Sequence, residues 1–335
     1  MRYYAPLQDQ VTTIPNAEQW LVPLYETPTV SENTSLVPNT KFQFVWDSVS
    51  LNSIKTCPRK YNWEILHGYH LDPMPSTLMF GIQFHSCMEV WHKLRAQQID
   101  ADTALQRCTR LAGLFGEYLT GERTERTKQT LVRAVVWYLD QFRDDPAQIT
   151  TNGDGSPAAE LSFSLPLKKI NGIQVHLAGH IDKVVKFLGK IFIADYKTTK
   201  SQLNERFFSQ FKPNGQVQGY LTAGLTMAGS IPAIPEKPSG ILIDGIQLGV
   251  NFTRYHRSII EYSTLEINTF LSDLEQWLQV AALYAEAEHW PANEQACGNY
   301  GGCVFQSICS QTPAKHERLL KSNFKKSLWD PRKER

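Results

Sequence analysis

Between Glu160 and Leu167 the chain alternates apolar and polar residues at period 2 (Glu-Leu-Ser-Phe-Ser-Leu-Pro-Leu), the signature of a strand with one buried face. Residues 173–187 and 190–196 continue as strands, with turn signals at Asn171-Gly172 and Leu188-Gly189. Three sequential strands with short links predict an antiparallel meander. Upstream, residues 77–95 and roughly 101–145 read as helices with mixed faces, a helical insert ahead of the sheet. Gly81 in the first of them would allow close approach to another backbone. A helix starting near Ser50, with Leu51, Ile54 and Trp63 apolar, carries Cys57-Pro-Arg-Lys-Tyr61, and Pro58 predicts a kink or a break into two short helices.

Downstream, residues 214–227 suit a helix packed on the sheet, followed by a Pro-rich link at 231–238 and two strands near 240–248 and 251–261. Ser263-Thr-Leu-Glu266 is a capping box. It opens a helix whose Leu265, Phe270, Leu274, Trp277, Leu278 and Ala281 form one stripe. Residues 1–40, rich in Pro, Thr, Asn and Ser, read as an extended arm. No internal repeat is visible.

Composition changes this picture little. Of 335 residues, 42% are hydrophobic and 20% charged, so the chain can bury a sizeable core. A net charge of +1 means that contact with nucleic acid would depend on a local basic surface. No apolar run is long enough to span a bilayer and the N-terminus lacks the layout of a signal peptide. The chain therefore reads as cytoplasmic (host cytoplasm for a viral protein), with its six cysteines reduced or metal-bound.

The charged residues inside the apolar runs carry the chemistry. Asp182 lies between Leu177-Ala-Gly and Val184-Val185, and Asp195-Tyr196-Lys197 ends the run Lys-Ile-Phe-Ile-Ala. A carboxylate in such a strand is costly unless paired or bound to metal. Two of them on neighbouring strands can hold a hard divalent cation through oxygen, and Lys197, two residues past Asp195, shares its sheet face and can steer an attacking water. An isolated Asp-x-Lys is often only a surface ion pair; the apolar context sets this one apart. On the helix over 77–95, His85, Glu89 and His92 share a face, which by itself reads as a half-buried polar stripe. It is not His-Glu-x-x-His, because Ser86 follows His85.

Cys297, Cys303 and Cys309 lie within thirteen residues of turn-prone sequence. Three thiolates leave a tetrahedral centre one short, and the fourth must come from Cys57, Cys87 or Cys108. Cys57, beside Pro58, is the best candidate, since the other two sit in helical patterns and read as ordinary buried thiols. Zinc and an iron–sulfur cluster both accept four thiolates.

In order along the chain these elements are Ser50, Leu51 and Cys57-Pro-Arg-Lys-Tyr61; Gly81-x3-His85-x3-Glu89; Gly-His-Ile-Asp182; Asp195-Tyr-Lys197; Gln216-x3-Tyr220; and the three late cysteines. Together they resemble the RecB-like branch of the PD-(D/E)XK nuclease superfamily over about residues 48–310, in particular its iron–sulfur members, which include the AddB nuclease domain and the CRISPR-associated exonucleases. The resemblance implies an α/β fold: a restriction-endonuclease-like core with a mixed central sheet flanked by helices, a helical insert, and an iron–sulfur cluster joining N- and C-terminal segments. It implies Mg²⁺ or Mn²⁺ on His85, Asp182, Asp195 and the Tyr196 carbonyl, Lys197 acting on the attacking water, and Gln216 and Tyr220 positioning Lys197 and the nucleic-acid backbone. By the same resemblance Glu160 would be a supporting acid, and Cys57, Cys297, Cys303 and Cys309 would hold a [4Fe–4S] cluster, or Zn²⁺ in the alternative. Two departures stand out: Ile181 precedes Asp182 where the superfamily name has Pro, and the late cysteines are spaced x5, x5 where several relatives have x2, x5.

The expected function is a metal-dependent deoxyribonuclease, an exonuclease on single-stranded DNA or DNA ends in repair or recombination. The alternatives are a nonenzymatic DNA-end-binding module of a recombination, replication or CRISPR-type complex and a zinc-stabilised endonuclease of the same superfamily. The organisation is an arm (1–40), a nuclease domain (41–315) with its insert at about 96–150 and cysteines at 297–309, and a basic tail (316–335) with seven Lys/Arg against three Asp/Glu. That tail, with Phe324 and Trp329, and Arg59 with Lys60 beside Cys57, are candidate DNA contacts. No Gly-x4-Gly-Lys-Ser/Thr motif is present, so unwinding would need a helicase partner on another chain.

Overall fold

The computed structural model describes residues 35–37, 40–72, 74–119, 125–328 and 330–331. The proposed arm falls almost wholly outside the described residues, and so does Trp329. Strand β1 (Val45–Trp46) leads into helix α1 (Ser48–Thr56). Asp47 and Ser50 form a reciprocal capping box there, so Ser50 is explained by helix initiation. The break at Pro58 appears as expected: Cys57 is extended, helix α2 (Pro58–Tyr61) starts with Pro58 in its first turn, and one π-helical turn (Asn62–Leu66) follows. Next come β2 (Tyr69–His70) and the three helices of the insert side, α3 (Ser76–Ala96), α4 (Ala101–Phe115) and α5 (Lys128–Gln141).

The main sheet contains β3 (Gln148–Ile149), β4 (Ala159–Ile170), β5 (Ile173–Phe187), β6 (Lys190–Thr199), β7 (Ile241–Leu248) and β8 (Thr253–Ile260), with α6 (Glu205–Ser209) and α7 (Gly215–Met227) between β6 and β7. The turns at Asn171-Gly172 and Leu188-Gly189 all have positive φ, which is what tight hairpins require. The meander β4–β5–β6 is antiparallel as expected. The connection through α6 and α7 brings β7 back parallel to β6, and β1 pairs parallel with β5, so the sheet is mixed. Helix α8 (Thr264–Glu286) follows, then α9 (Gln306–Cys309), α10 (Pro313–Asn323) and β9 (Lys325–Lys326), which pairs with β2. The boundary drawn at 315/316 thus falls inside α10, whose Leu320 is buried with Trp63, Tyr69, Phe305 and Ile308. Among the described residues no helix is long and apolar enough to cross a membrane.

Helices cover both faces of the sheet. One face packs Leu161, Phe163, Leu177, Ile193 and Ile243 against α1, α7 and α8. The other packs Tyr196, Ile246 and Leu248 against α3, α4 and α5, where Cys87 and Cys108 are buried as the helical pattern implied. The capping box of Ser263 and Glu266 forms, but Leu265 is 75% exposed and Trp277 is half-buried. At 100° per residue Leu265 lies about 140° from the Phe270 position, off the buried stripe; Ile267 takes its place.

Asp145, just after α5, ties the insert to the sheet through two 2.6 Å bonds from Arg257 of β8. Burial pushes the Asp145 carboxyl up, but the Arg257 hydrogen bonds and charge outweigh it and hold the group below its ordinary range. A depressed folded-state value means stability that is present above the unfolded pKa of about 4 and lost as pH falls through the folded one. Asp145→Asn is expected to lower the melting temperature at pH 7, with the deficit shrinking toward pH 3; a constant deficit across that range would contradict this account.

Candidate active site

The residues singled out in β4, β5, β6, α3 and α7 converge at one place. Glu160 lies between Ala159, which pairs with Lys183, and Leu161, which pairs with Ile181, so it faces Asp182 across the ladder. Both strands lose their alternation here. Ala158 and Leu161, and likewise Ile181 and Val184, enter the same apolar layer although three residues apart. Glu160 takes a left-handed φ of 50°, an unfavourable conformation for a side-chain-bearing residue that tends to persist where function requires it. At this level each strand carries an acid, Glu160 opposite Asp182.

His85, Glu160 and Asp182 each offer a ligand atom, and these atoms lie within 4.8 Å of one another. His85 is delivered by α3: its Nε2 donates to the Tyr196 carbonyl at 3.1 Å and its Nδ1 stands 3.3 Å from Asp182 Oδ2. The Tyr196 N–H donates to the same Asp182 oxygen at 2.8 Å. Gly81, one turn before His85, does not bring two backbones together, since a Cβ there would meet only Thr198 Oγ1 at 3.8 Å. Glu89 is taken up by Lys93 at 2.5 Å. His92 sits behind the site, its Nε2 3.1 Å from the Tyr196 hydroxyl.

On β6, Asp195 pairs with Lys197 Nζ at 2.7 Å. Lys197 also donates to Gln216 Oε1 at 2.9 Å, and Gln216 Nε2 donates to the Tyr220 hydroxyl at 3.1 Å. Gln216 is set at the start of α7 by the Asn214 side chain, which accepts from the backbone N–H of Gln216 and Val217. Tyr220 is buried, its ring perpendicular to that of Phe163. The glycine of Gly-His-Ile-Asp has its reason here: a Cβ on Gly179 would lie 2.9 Å from Phe163 Cζ and 3.0 Å from Tyr220 Cε1. Gly179→Ala is therefore expected to displace Tyr220 and, through Gln216, Lys197, lowering cleavage about tenfold or more, since small misplacements of reacting groups carry large rate penalties. Tyr220→Phe with unchanged activity alongside an impaired Gly179→Ala would instead locate the effect elsewhere in the packing.

Electrostatically the site is short of positive charge. Burial alone would lower the His85 imidazole, but the carboxylate of Asp182, then those of Glu160 and Asp195, raise it above its ordinary value. Asp182 is held down to about 2 against its burial by His85, Lys197 and the Tyr196 N–H. Asp195 goes the other way, raised by burial and by the Asp182 charge despite Lys197, and its Oδ1 is buried with no hydrogen-bond partner. Three carboxylates, an imidazole and a backbone carbonyl, one oxygen left without a partner, suit a hard divalent cation such as Mg²⁺ or Mn²⁺. In that set Glu160 stands in the close trio, and Asp195 is its charged neighbour, held by Lys197.

A second constellation brings together distant segments. Cys57, Cys297, Cys303 and Cys309 are all free thiols. Desolvation and then the charges of Cys303, Cys309 and Cys57 raise the Cys297 thiol, so Cys297 lies within electrostatic reach of the other three. The Asn293 N–H points at Cys57 Sγ at 3.4 Å, and Arg59 Nη1 donates to Cys309 Sγ at 3.3 Å. Lys60 pairs with Glu64 at 3.6 Å.

Two charged residues of the back face escaped the sequence reading: Lys183 of β5 and Asp244 of β7, both buried. Their signal was the one used for Asp182, a charge inside an apolar strand.

A mixed sheet between two helical layers, with acids on adjacent strands and a lysine two residues after the last, defines the class as that of metal-dependent phosphodiester-cleaving proteins. The chain belongs to the PD-(D/E)XK nuclease superfamily, whose family model matches residues 48–310. No curated protein sequence matches it. Among solved structures, the crystal structure of SSO0001 is similar over 71% of this chain and 95% of that one, with 11% identity and a TM-score of 0.31; a likeness that loose says nothing of function.

Proposed function

We propose that the protein is a Mg²⁺- or Mn²⁺-dependent deoxyribonuclease acting exonucleolytically on single-stranded DNA or DNA ends, of the RecB-like iron–sulfur type. The observation that carries the catalytic part is the intact constellation of His85, Glu160, Asp182 and Asp195 with a lysine held at two points, by Asp195 at 2.7 Å and Gln216 at 2.9 Å. A degenerate, purely DNA-binding copy would have no use for so constrained a lysine.

His85, Glu160, Asp182, Asp195 and the Tyr196 carbonyl would hold the cation, which supplies polarisation of a phosphoryl oxygen and charge neutralisation when bound. Lys197 orients the attacking water and offsets the negative charge that grows on the phosphoryl oxygens as the new P–O bond forms and the ester P–O bond breaks. Asp195 and Gln216 keep its ammonium on the site side of β6, and Tyr220 keeps Gln216 from turning away. The attacking water gives up a proton to solvent as its P–O bond forms, and the leaving oxygen takes one up from solvent as the ester bond breaks.

In this reading the four cysteines hold a [4Fe–4S] cluster; it is supported by their being free and by the N–H donors that reach two of their sulfurs, as at cluster thiolates. Zinc is the rival for the same thiolates and is distinguished by colour, since an iron–sulfur protein is brown and a zinc protein colourless. Arg59 contacts Cys309, and Leu319, Leu320 and Phe324 of the basic segment Arg318 to Lys326 pack in one apolar cluster with Cys303 and Cys309; we assign Arg59 and that segment to the DNA track, with a helicase or recombination partner supplying unwound ends in the cytoplasm.

The test is degradation of end-labelled single-stranded DNA by anaerobically purified protein with Mn²⁺ or Mg²⁺. Progressive loss of label from one end supports the reading and fixes polarity. Binding without cleavage under all metal conditions would favour the DNA-end-binding alternative.

A further inference from the structure

The residue after Asp182 faces away from Lys197, into the layer of α3 and α5. Lys183 has a side chain 1% exposed, and its Nζ lies 3.4 Å from Oδ2 of Asp244, whose side chain is 0% exposed. The same ammonium donates to the Tyr196 hydroxyl at 2.8 Å and stands 4.2 Å from the centre of the Tyr196 ring. Asp244 Oδ2 also accepts from Arg257 at 3.0 and 3.1 Å and from the Tyr138 hydroxyl. The rings of Phe84, His85 and Tyr138 meet Tyr196 edge-on.

Tyr196 is therefore gripped on its ring face, its ring edges and its hydroxyl, while its backbone lies at the metal site. Its N–H holds Asp182 and its carbonyl faces His85. A buried ammonium is a poor way to fill space, because an apolar side chain of the same volume avoids its desolvation. What an apolar side chain cannot do is hold the hydroxyl and cover the ring with charge. Groups behind a metal site that orient its ligands commonly govern its affinity.

We infer that Lys183 and Asp244 are positioning residues: from the back of the sheet they clamp the Tyr196 side chain and so fix the Tyr196 carbonyl and amide that shape the divalent-cation site. This inference rests on the reading of the His85, Glu160 and Asp182 site as a cation site. The clamp has a different task from that of Lys197, which faces the substrate.

The experiment is titration of the full chain with Mn²⁺, read by the electron paramagnetic resonance signal of the free ion, with thermal melts of every variant. Tyr196→Phe removes only the hydroxyl and Lys183→Met removes the charge at similar length. Both are expected to weaken Mn²⁺ binding, about tenfold for Tyr196→Phe and more for Lys183→Met. DNA cleavage should then recover as Mn²⁺ is raised, so that half-saturation moves and the maximal rate does not. If Lys183→Met fails to fold, Tyr196→Phe decides. Wild-type Mn²⁺ binding that Tyr196→Phe leaves unchanged would overturn the inference alone; a wild type that takes up no Mn²⁺ would overturn the cation reading and this inference with it.

Discussion

Lys197→Ala is expected to slow cleavage of single-stranded DNA by about 10³-fold or more while Mn²⁺ binds as tightly as in the wild type, or more tightly. The reason lies in its position. On the proposed reading Lys197 is not a cation ligand but a competitor for Asp195, to which it is paired at 2.7 Å. Removing it leaves Asp195, already raised by burial, with more need of a cation, so affinity is maintained while the group that acts on water and phosphate is gone. Lys197→Arg restores the charge but not the geometry, because a planar fork cannot reproduce a point donor between Asp195 and Gln216. The outcome that would sink this account is a parallel loss of Mn²⁺ binding and activity in Lys197→Ala, which would make the lysine part of the cation site's architecture. The opposite signature is expected of Lys183, whose replacement shifts Mn²⁺ dependence.

The second large effect is expected at the cysteines. Cys57→Ser and Cys303→Ser should give colourless protein with a steep loss of soluble yield. Cys57 opens α2, whereas Cys297, Cys303 and Cys309 lie some 240 residues further on. If the four thiolates hold a cluster as proposed, ligation across so long a separation contributes folding free energy directly, since the unfolded chain has no preformed site. Among the described residues the two segments are also joined by Arg59 N–H to the Pro291 carbonyl at 3.0 Å, the Asn293 side chain to the Thr56 carbonyl at 2.9 Å, the β2–β9 pair, the Tyr61–Trp290 ring contact and a small apolar group around Trp63, Phe305 and Ile308, so the loss of soluble yield measures what ligation adds to these contacts. Iron and acid-labile sulfide analysis with absorption spectra of each variant checks the point. Well-folded, soluble, colourless variants would give the cluster a peripheral role, and a colourless wild type rich in zinc would replace iron–sulfur with the zinc alternative.

The strands of the meander and the helices that flank them follow from period and punctuation. Alternation over 160–167, left-handed turns at Asn171-Gly172 and Leu188-Gly189, the break at Pro58 and the capping box at Ser263 are all local, and local backbone chemistry is readable in a linear text. Asp182, Asp195 and Lys197 were legible for a related reason: a charge amid apolar neighbours is an energetic anomaly wherever the strand ends up. His85 and Glu160 drew their meaning from resemblance, because nothing within a few residues of either says which strand it will face.

Leu265 shows the limit of a stripe drawn by eye, and Gly81 that of a glycine read without its neighbours. Gly179 looked like part of a motif, and only packing reveals that the missing Cβ makes room for Tyr220 and Phe163.

What the sequence determined by itself is the set of elements and the presence of costly charges in apolar strands, because propensity, capping and desolvation act over a few residues. What only the tertiary structure decided is the meaning of those charges. The antiparallel register of β4 and β5 puts Glu160 opposite Asp182, the parallel return of β7 puts Asp244 beneath Lys183, and the docking of α3 brings His85 to the Tyr196 carbonyl. Those relations join residues 22 to 111 positions apart, and register, crossover and packing, which no local pattern encodes, set them.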